Sequence, residues 1–194
     1  ELNSANDNPI IDLNDQHVYH GGNFHGDYIS LEMDKLKLVM TKMTMLAERQ
    51  LNYLLNSKIN EISPPFVNLG TLGLNFGMQG VQFTATSTTA ESQALSTSLY
   101  IHSIPNNNDN QDIVSMGTNA AMSCSQVIEN SFEVLAIEFI TLAQAIDHLG
   151  CQEKLAKETL SWYMDLRNLF PAFAEDQVMY PIIKKVKEYL INKN

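Results

Sequence analysis

The chain has 194 residues, 44% of them hydrophobic and 18% charged, with a formal net charge of -10 at pH 7. That apolar content is enough for one sizeable core and excludes a disordered chain, while the acidic balance repels phosphate backbones and anionic lipid surfaces, so neither nucleic acid nor a membrane is an expected partner. Cys124 and Cys151 stand far apart with no CxxC and no histidine at metal spacing, which argues against a disulfide framework or a zinc site and favours a reducing cytoplasm.

Residues 3–26 are rich in Asn, Asp, Gly and His and include Asp7-Asn8-Pro9, which predicts an irregular, extended opening. From residue 28 to about residue 56 the pattern turns helical, with Leu36, Val39, Met40, Met43 and Leu46 on one broad side. Such a segment spans about 40 Å, a length typical of large helical bundles. A loop bearing Gly70, Gly73, Gly77 and Gly80 follows. The TATSTTAES stretch has poor helix propensity, yet a helix is predicted over 83–97, because Val81, Ala85, Thr88 and Leu95 keep helical spacing and small residues permit close packing. A third long helix is predicted over 112–149, carried by Val127, Ile128, Phe132, Leu135, Phe139, Leu142 and Ile146 and stopped by Gly150. Two shorter helices, 152–168 and 177–191, flank a turn at Pro171. Lys184, Lys185 and Lys187 complement a helix dipole near the C-terminus. Period-two alternation is absent over any useful length, so the fold reads as mainly α.

Several candidate sites reduce to plain structure. Met33, Met40, Met43 and Met45 fall at helical spacing and read as core filler. His17, His20 and His25 lie close together without a further cluster to complete a metal set. Residues 106–117 echo a calcium loop but carry Gln111 where glycine is required and Gly117 where an acid is required. Two segments resist such reduction. PNNNDNQDIVSMG at 105–117 concentrates amides that no folding requirement explains, and a buried amide without a partner costs roughly 1 to 3 kcal/mol, so the cluster is solvated, self-satisfied or aimed at a polar ligand. GGNFHGD at 21–27 brackets Phe24 and an amide with glycines, which let the backbone approach another group while the ring offers a rigid face.

These two segments, together with NSANDNP at 3–9, AERQLNYLLN at 47–56, PPFVNLGTLGLNFG at 64–77 and ENSFEVLAIEFI at 129–140, occur in an order and spacing that resemble the aromatic amino-acid ammonia-lyase family. The resemblance covers nearly the whole chain and is greatest to the C-terminal part of bacterial tyrosine ammonia-lyases. It implies an all-α fold, a long-helix bundle with fumarase/aspartase-like central helices. Residues 1–194 would form the C-terminal portion of a longer enzyme, with an active-site loop region at 1–27, long central helices at 28–150 and C-terminal helices at 151–194. The implied partners are the N-terminal part of the same enzyme and the other subunits of a homotetramer.

The electrophile of such enzymes is a 4-methylidene-imidazole-5-one, formed from an Ala-Ser-Gly tripeptide that does not occur in this sequence, and no metal is implied. With that group and the proton-abstracting tyrosine expected upstream, no catalytic residue is assigned to this chain, and alone it should be inactive. The resemblance assigns substrate binding to Phe24, Asn107, Asn110 and Gln111. Histidine-specific members typically carry glutamate at the position of Gln111, and plant phenylalanine-specific members tend to carry glutamate at that of Asn107. The implied reaction is therefore deamination of L-tyrosine to p-coumarate. The alternatives are histidine ammonia-lyase, tyrosine aminomutase and a non-catalytic helical scaffold.

Overall fold

No glycine or proline interrupts residues 27–55, and the backbone there forms one helix. In the computed structural model, which describes residues 1 and 3–193 and residue 23 through its backbone only, the elements are β1 (Ile10–Asp12), β2 (His17–Tyr19), α1 (Asp27–Leu55), α2 (Ser57–Asn60), α3 (Gln79–Leu95), α4 (Gly117–Leu149), α5 (Lys157–Leu169) and α6 (Tyr180–Asn192). The expected irregular opening holds a small antiparallel hairpin, with Ile11 opposite Val18. Asp12 builds its turn by accepting from the Asn14 and Asp15 N–H groups at 2.8 and 3.2 Å. Strands of three residues are too short to show an alternating pattern in sequence.

Helix α1 buries a different face from the one its apolar residues suggest. Leu38, Val39, Met43 and Leu46 are 55–60% exposed, whereas Ser30, Asp34, Lys37, Thr41, Thr44 and Glu48 are buried at spacings of three and four that run on to Leu51 and Leu55. Met43 is thus not core filler within this chain, and Met33, Met40 and Met45 are half-buried. Helix α3 starts four residues before its expected position. Its buried hydroxyls are satisfied locally, Thr89 donating to the Ala85 carbonyl at 2.8 Å and Ser92 to that of Thr88 at 3.2 Å, so that their burial leaves neither unpaired. Helix α4 starts five residues later than expected, because Met116 takes a left-handed φ of 51° that a helix cannot continue through. It stops at Gly150, whose φ is 55°. At 152–154 the chain makes a single tight turn, so α5 begins at Lys157 rather than at 152.

The chain divides into two compact units, residues 1–40 with 93–128 and residues 41–92 with 129–194. The second is an apolar helical bundle. Leu51, Met78, Val134, Ile137, Ile140 and Val186 are wholly buried there, and its helices are cross-tied by Thr44–Ser131 hydroxyls at 2.7 Å, Asn130 to Glu91 at 2.8 Å and Lys187 to Glu129 at 2.8 Å. The first unit buries Ala120, Cys124 and Val127 together with Ser30, Asp34, Lys37 and Ser115. Among the described residues, buried polar side chains are therefore at least as numerous as buried apolar ones in this unit.

Candidate functional site

All four residues singled out for substrate binding lie in the first unit. Phe24 sits in a single 3-10 turn, Asn23–His25, that leads through Gly26, with a φ of 67°, into the N-terminus of α1. Its ring is half-buried and lies against that of His25, with centroids 4.4 Å apart at an angle of 34°. The turn is closed by the His25 N–H donating to the Gly22 carbonyl at 3.2 Å.

The amide segment forms a tight reversal. Asn106 and Gln111 exchange backbone hydrogen bonds at 3.0 and 3.3 Å, and the Asn110 N–H reaches the Asn107 carbonyl at 3.1 Å. Asn107, Asn108 and Asp109 all take left-handed φ values, 54°, 53° and 61°, a conformation that Asn and Asp tolerate better than other residues with a side chain. This is the local reason for the amide-rich composition that sequence alone left open. Asn107 and Asn110 are exposed and Gln111 is half-buried. Among the described residues no side-chain hydrogen bond occupies the amides of these three.

The structure brings the two segments together at their bases. The Ser115 hydroxyl donates to the His25 carbonyl, and the Gly117 N–H donates back to the Ser115 oxygen at 3.3 Å. A side chain at residue 117 would place its Cβ 3.1 Å from the Gly26 carbonyl, so glycine there permits the approach. At the other end of the loop the Tyr100 hydroxyl donates to Asp27 at 3.1 Å, a bond that raises the Tyr100 phenol above its ordinary value. Ser103 accepts from the Val114 N–H at 2.9 Å and holds the loop's two arms together. The Phe24 turn and the amide turn are thus parts of one hydrogen-bonded assembly, in which Phe24 and Gln111 are half-buried and Asn107 and Asn110 are exposed. Hollows of about 480 and 440 Å3 lie in the second unit, around Phe76 and Phe83 and around Ile183 and Lys187.

Sequence reasoning missed what fixes this assembly to α1. Asp34, 5% exposed, receives the Ser98 hydroxyl and the Leu99 and Tyr100 N–H groups, each at 2.8 Å, and lies 2.8 Å from the wholly buried Lys37 ammonium. Burial works to raise the Asp34 carboxyl, but the bonds from Lys37, Tyr100 and Ser98 outweigh it and hold the group below the usual carboxylate value. The available signal was an Asp and a Lys three residues apart on the same face as Ser30, Thr41 and Thr44. Among the described residues, no group of three His, Cys, Asp or Glu side chains is placed to hold a metal ion, and no helix is long and apolar enough to cross a membrane.

Comparison with known proteins bears on the same segments. The profile of the family described as aromatic amino acid lyase matches residues 1–168. The MIO-dependent tyrosine 2,3-aminomutase of Streptomyces globisporus is 37% identical over 190 residues, covering 98% of this chain and 35% of that protein. Its crystal structure superposes with a TM-score of 0.91 over 97% of this chain and 36% of that one. A tyrosine ammonia-lyase of Cupriavidus metallidurans is 37% identical, covering 92% of this chain and 33% of its own length. A histidine ammonia-lyase of Staphylococcus saprophyticus is 38% identical, with 98% and 38% covered. The chain therefore spans about a third of the length of the curated relatives it matches, and the mainly α-helical architecture is shared with them.

Proposed function

The chain belongs to the aromatic amino acid lyase family, and on that premise we propose that it supplies part of the substrate pocket of a tyrosine-acting ammonia-lyase, which converts L-tyrosine into p-coumarate and ammonia. The observation that carries this reading is Gln111, a half-buried amide whose side chain is unengaged among the described residues at the foot of the amide turn. A carboxylate at that point can pair with an imidazole. Beside an uncharged phenol ring the same carboxylate would be a costly charge without a partner, whereas an amide offers dipoles only. Asn107, also neutral, favours the same substrate class.

In the reaction the Cα–N bond breaks, ammonia leaves, and the electrons of the Cβ–H bond become the new double bond as a base takes the proton. The β-proton is weakly acidic and ammonia leaves poorly, so the chemistry requires an electrophile, a positioned base and a water-poor pocket. A methylidene-imidazolone, expected from the family, would supply the electrophile that makes the amine a better leaving group, and it and the base would be contributed by the N-terminal part of the enzyme. The residues present here would suit such a group, because Phe24 offers a half-buried ring and the amides of Asn107, Asn110 and Gln111 have no side-chain hydrogen bond among the described residues. Phe24 confines the substrate ring by stacking, and Asn110 and Gln111 hold its polar ends.

Exposed Leu38, Val39, Met43 and Leu46 support assembly into a homotetramer together with the N-terminal part of the enzyme, since each covered Leu-sized side chain is worth about 1.5 to 3 kcal/mol. Two free cysteines and the acidic charge suit a reducing cytoplasm. The test is product analysis of the full-length protein: p-coumarate, followed by its near-ultraviolet absorbance, supports the reading, and urocanate alone would sink it. Similarity to the S. globisporus enzyme favours a second reading, a tyrosine aminomutase, which β-tyrosine among the products would select.

A further inference from the structure

The loop that carries Asn107, Asn110 and Gln111 leaves α3 at residue 96, and its root is held by two charged side chains of α1. Asp34 Oδ2 accepts from the Ser98 hydroxyl and from the Leu99 and Tyr100 N–H groups at 2.8 Å each. Asp34 Oδ1 lies 2.8 Å from Lys37 Nζ, and that ammonium also donates to the Thr97 carbonyl at 3.1 Å. Four consecutive residues, 97–100, are thus tied to two side chains less than one helical turn apart. A buried ion pair is by itself a poor stabiliser, because desolvation cancels most of the attraction, and apolar side chains would cover the same helix face as well. What the pair adds is direction. Three donors converge on one oxygen, and any rotation of the loop root would leave them unpaired inside the protein.

We propose that Asp34, with Lys37 as its counter-ion, is a positioning residue that sets where the amide turn at 106–111 stands against the Phe24 turn, and thereby sets affinity for the aromatic substrate. This rests on the reading of the two turns as an aromatic amino-acid pocket. Asp34 acts through the loop and touches no substrate. The far end of the loop is pinned independently, by Ser115 on the His25 carbonyl, so a shift at the root changes the loop's course without releasing it.

The test uses the full-length protein carrying Asp34→Ala with Lys37→Met, which removes the anchor and leaves no unpaired buried charge. Backbone amide exchange over residues 98–113 is expected to accelerate at least about tenfold, with exchange over 134–144 unchanged. KM for L-tyrosine is expected to rise about tenfold with kcat within about threefold, a binding loss rather than a loss of active enzyme. Asp34→Asn with Lys37→Met restores an uncharged acceptor for the N–H groups and should recover most of both. Unchanged exchange over 98–113, or faster exchange everywhere with KM unaltered, would overturn the assignment. A parent protein that turns over none of L-tyrosine, L-phenylalanine and L-histidine would overturn the pocket reading instead, and the exchange comparison would still decide whether Asp34 sets the loop.

Discussion

The two units of this chain are held by different physics. In the second, helices α1, α3, α4, α5 and α6 contribute to a single apolar cluster that includes Leu51, Met78, Ile137, Ile140 and Val186, and polar ties decorate it. In the first, an ion pair and hydrogen bonds at Asp34, Lys37 and Ser115 share the interior with Ala120, Cys124 and Val127. Apolar packing is non-directional and tolerates small shifts, whereas a hydrogen bond weakens steeply once its donor swings away. The unit that carries the candidate pocket is therefore built for placement and the other for stability.

That contrast can be broken or sharpened by substitution. The largest expected effect is on the stable side: Ile137→Ala, at a wholly buried position, should cost about 2 to 5 kcal/mol of unfolding free energy in a denaturant titration of the assembled protein, with KM unchanged. Next is Glu138, 8% exposed on α4, whose carboxyl is pushed up from 4.5 to about 7 by burial. The folded state then binds more protons at this group than the unfolded one between those values, so the contribution of Glu138 to stability is greatest below about pH 4.5, is lost as the pH rises towards 7 and is flat above. Glu138→Gln should flatten that slope in melting curves recorded across the range, and a persisting slope would assign it to another group.

On the side built for placement, Gln111→Glu should lower kcat/KM for L-tyrosine about a hundredfold, near 2.7 kcal/mol, while relatively favouring L-histidine, with the melting temperature unmoved. An unchanged preference between the two substrates would remove Gln111 from substrate recognition. The smallest effect is Ser115→Ala, which loses the bond to the His25 carbonyl and the weaker one from the Gly117 N–H and should cost about 1 to 2 kcal/mol, read as faster exchange over 103–117 rather than as a lower melting point.

The same division separates what was legible in the sequence from what was not. Helix α1 was placed to within a residue at each end, because an uninterrupted helical pattern needs no tertiary information. The face that this chain buries was not legible. Leu38, Val39, Met43 and Leu46 look like a core stripe, yet this chain covers the polar row beside them, and no local pattern says which of two faces will be covered. Lys37 reads as one solvated charge among several in MDKLKLV, and only the path of residues 97–100 makes it a buried counter-ion. Thr89 and Ser92 lower helix propensity, but they are buried with their hydroxyls bonded to carbonyls four residues earlier, and tertiary packing overrides propensity there. At the candidate site the residue types were legible and the reversal was not: three consecutive left-handed residues place Asn107 and Asn110 outward, and the junction that joins their loop to the Phe24 turn runs through Ser115 and Gly117, which carried no functional signal of their own.

Hydrogen exchange of the full-length protein with and without p-coumarate asks directly whether the two turns face one ligand. Protection of both residues 21–27 and residues 105–113, with little change over 134–144, is the expected result. Saturating ligand that protects neither segment, or only one of them, would contradict a shared pocket.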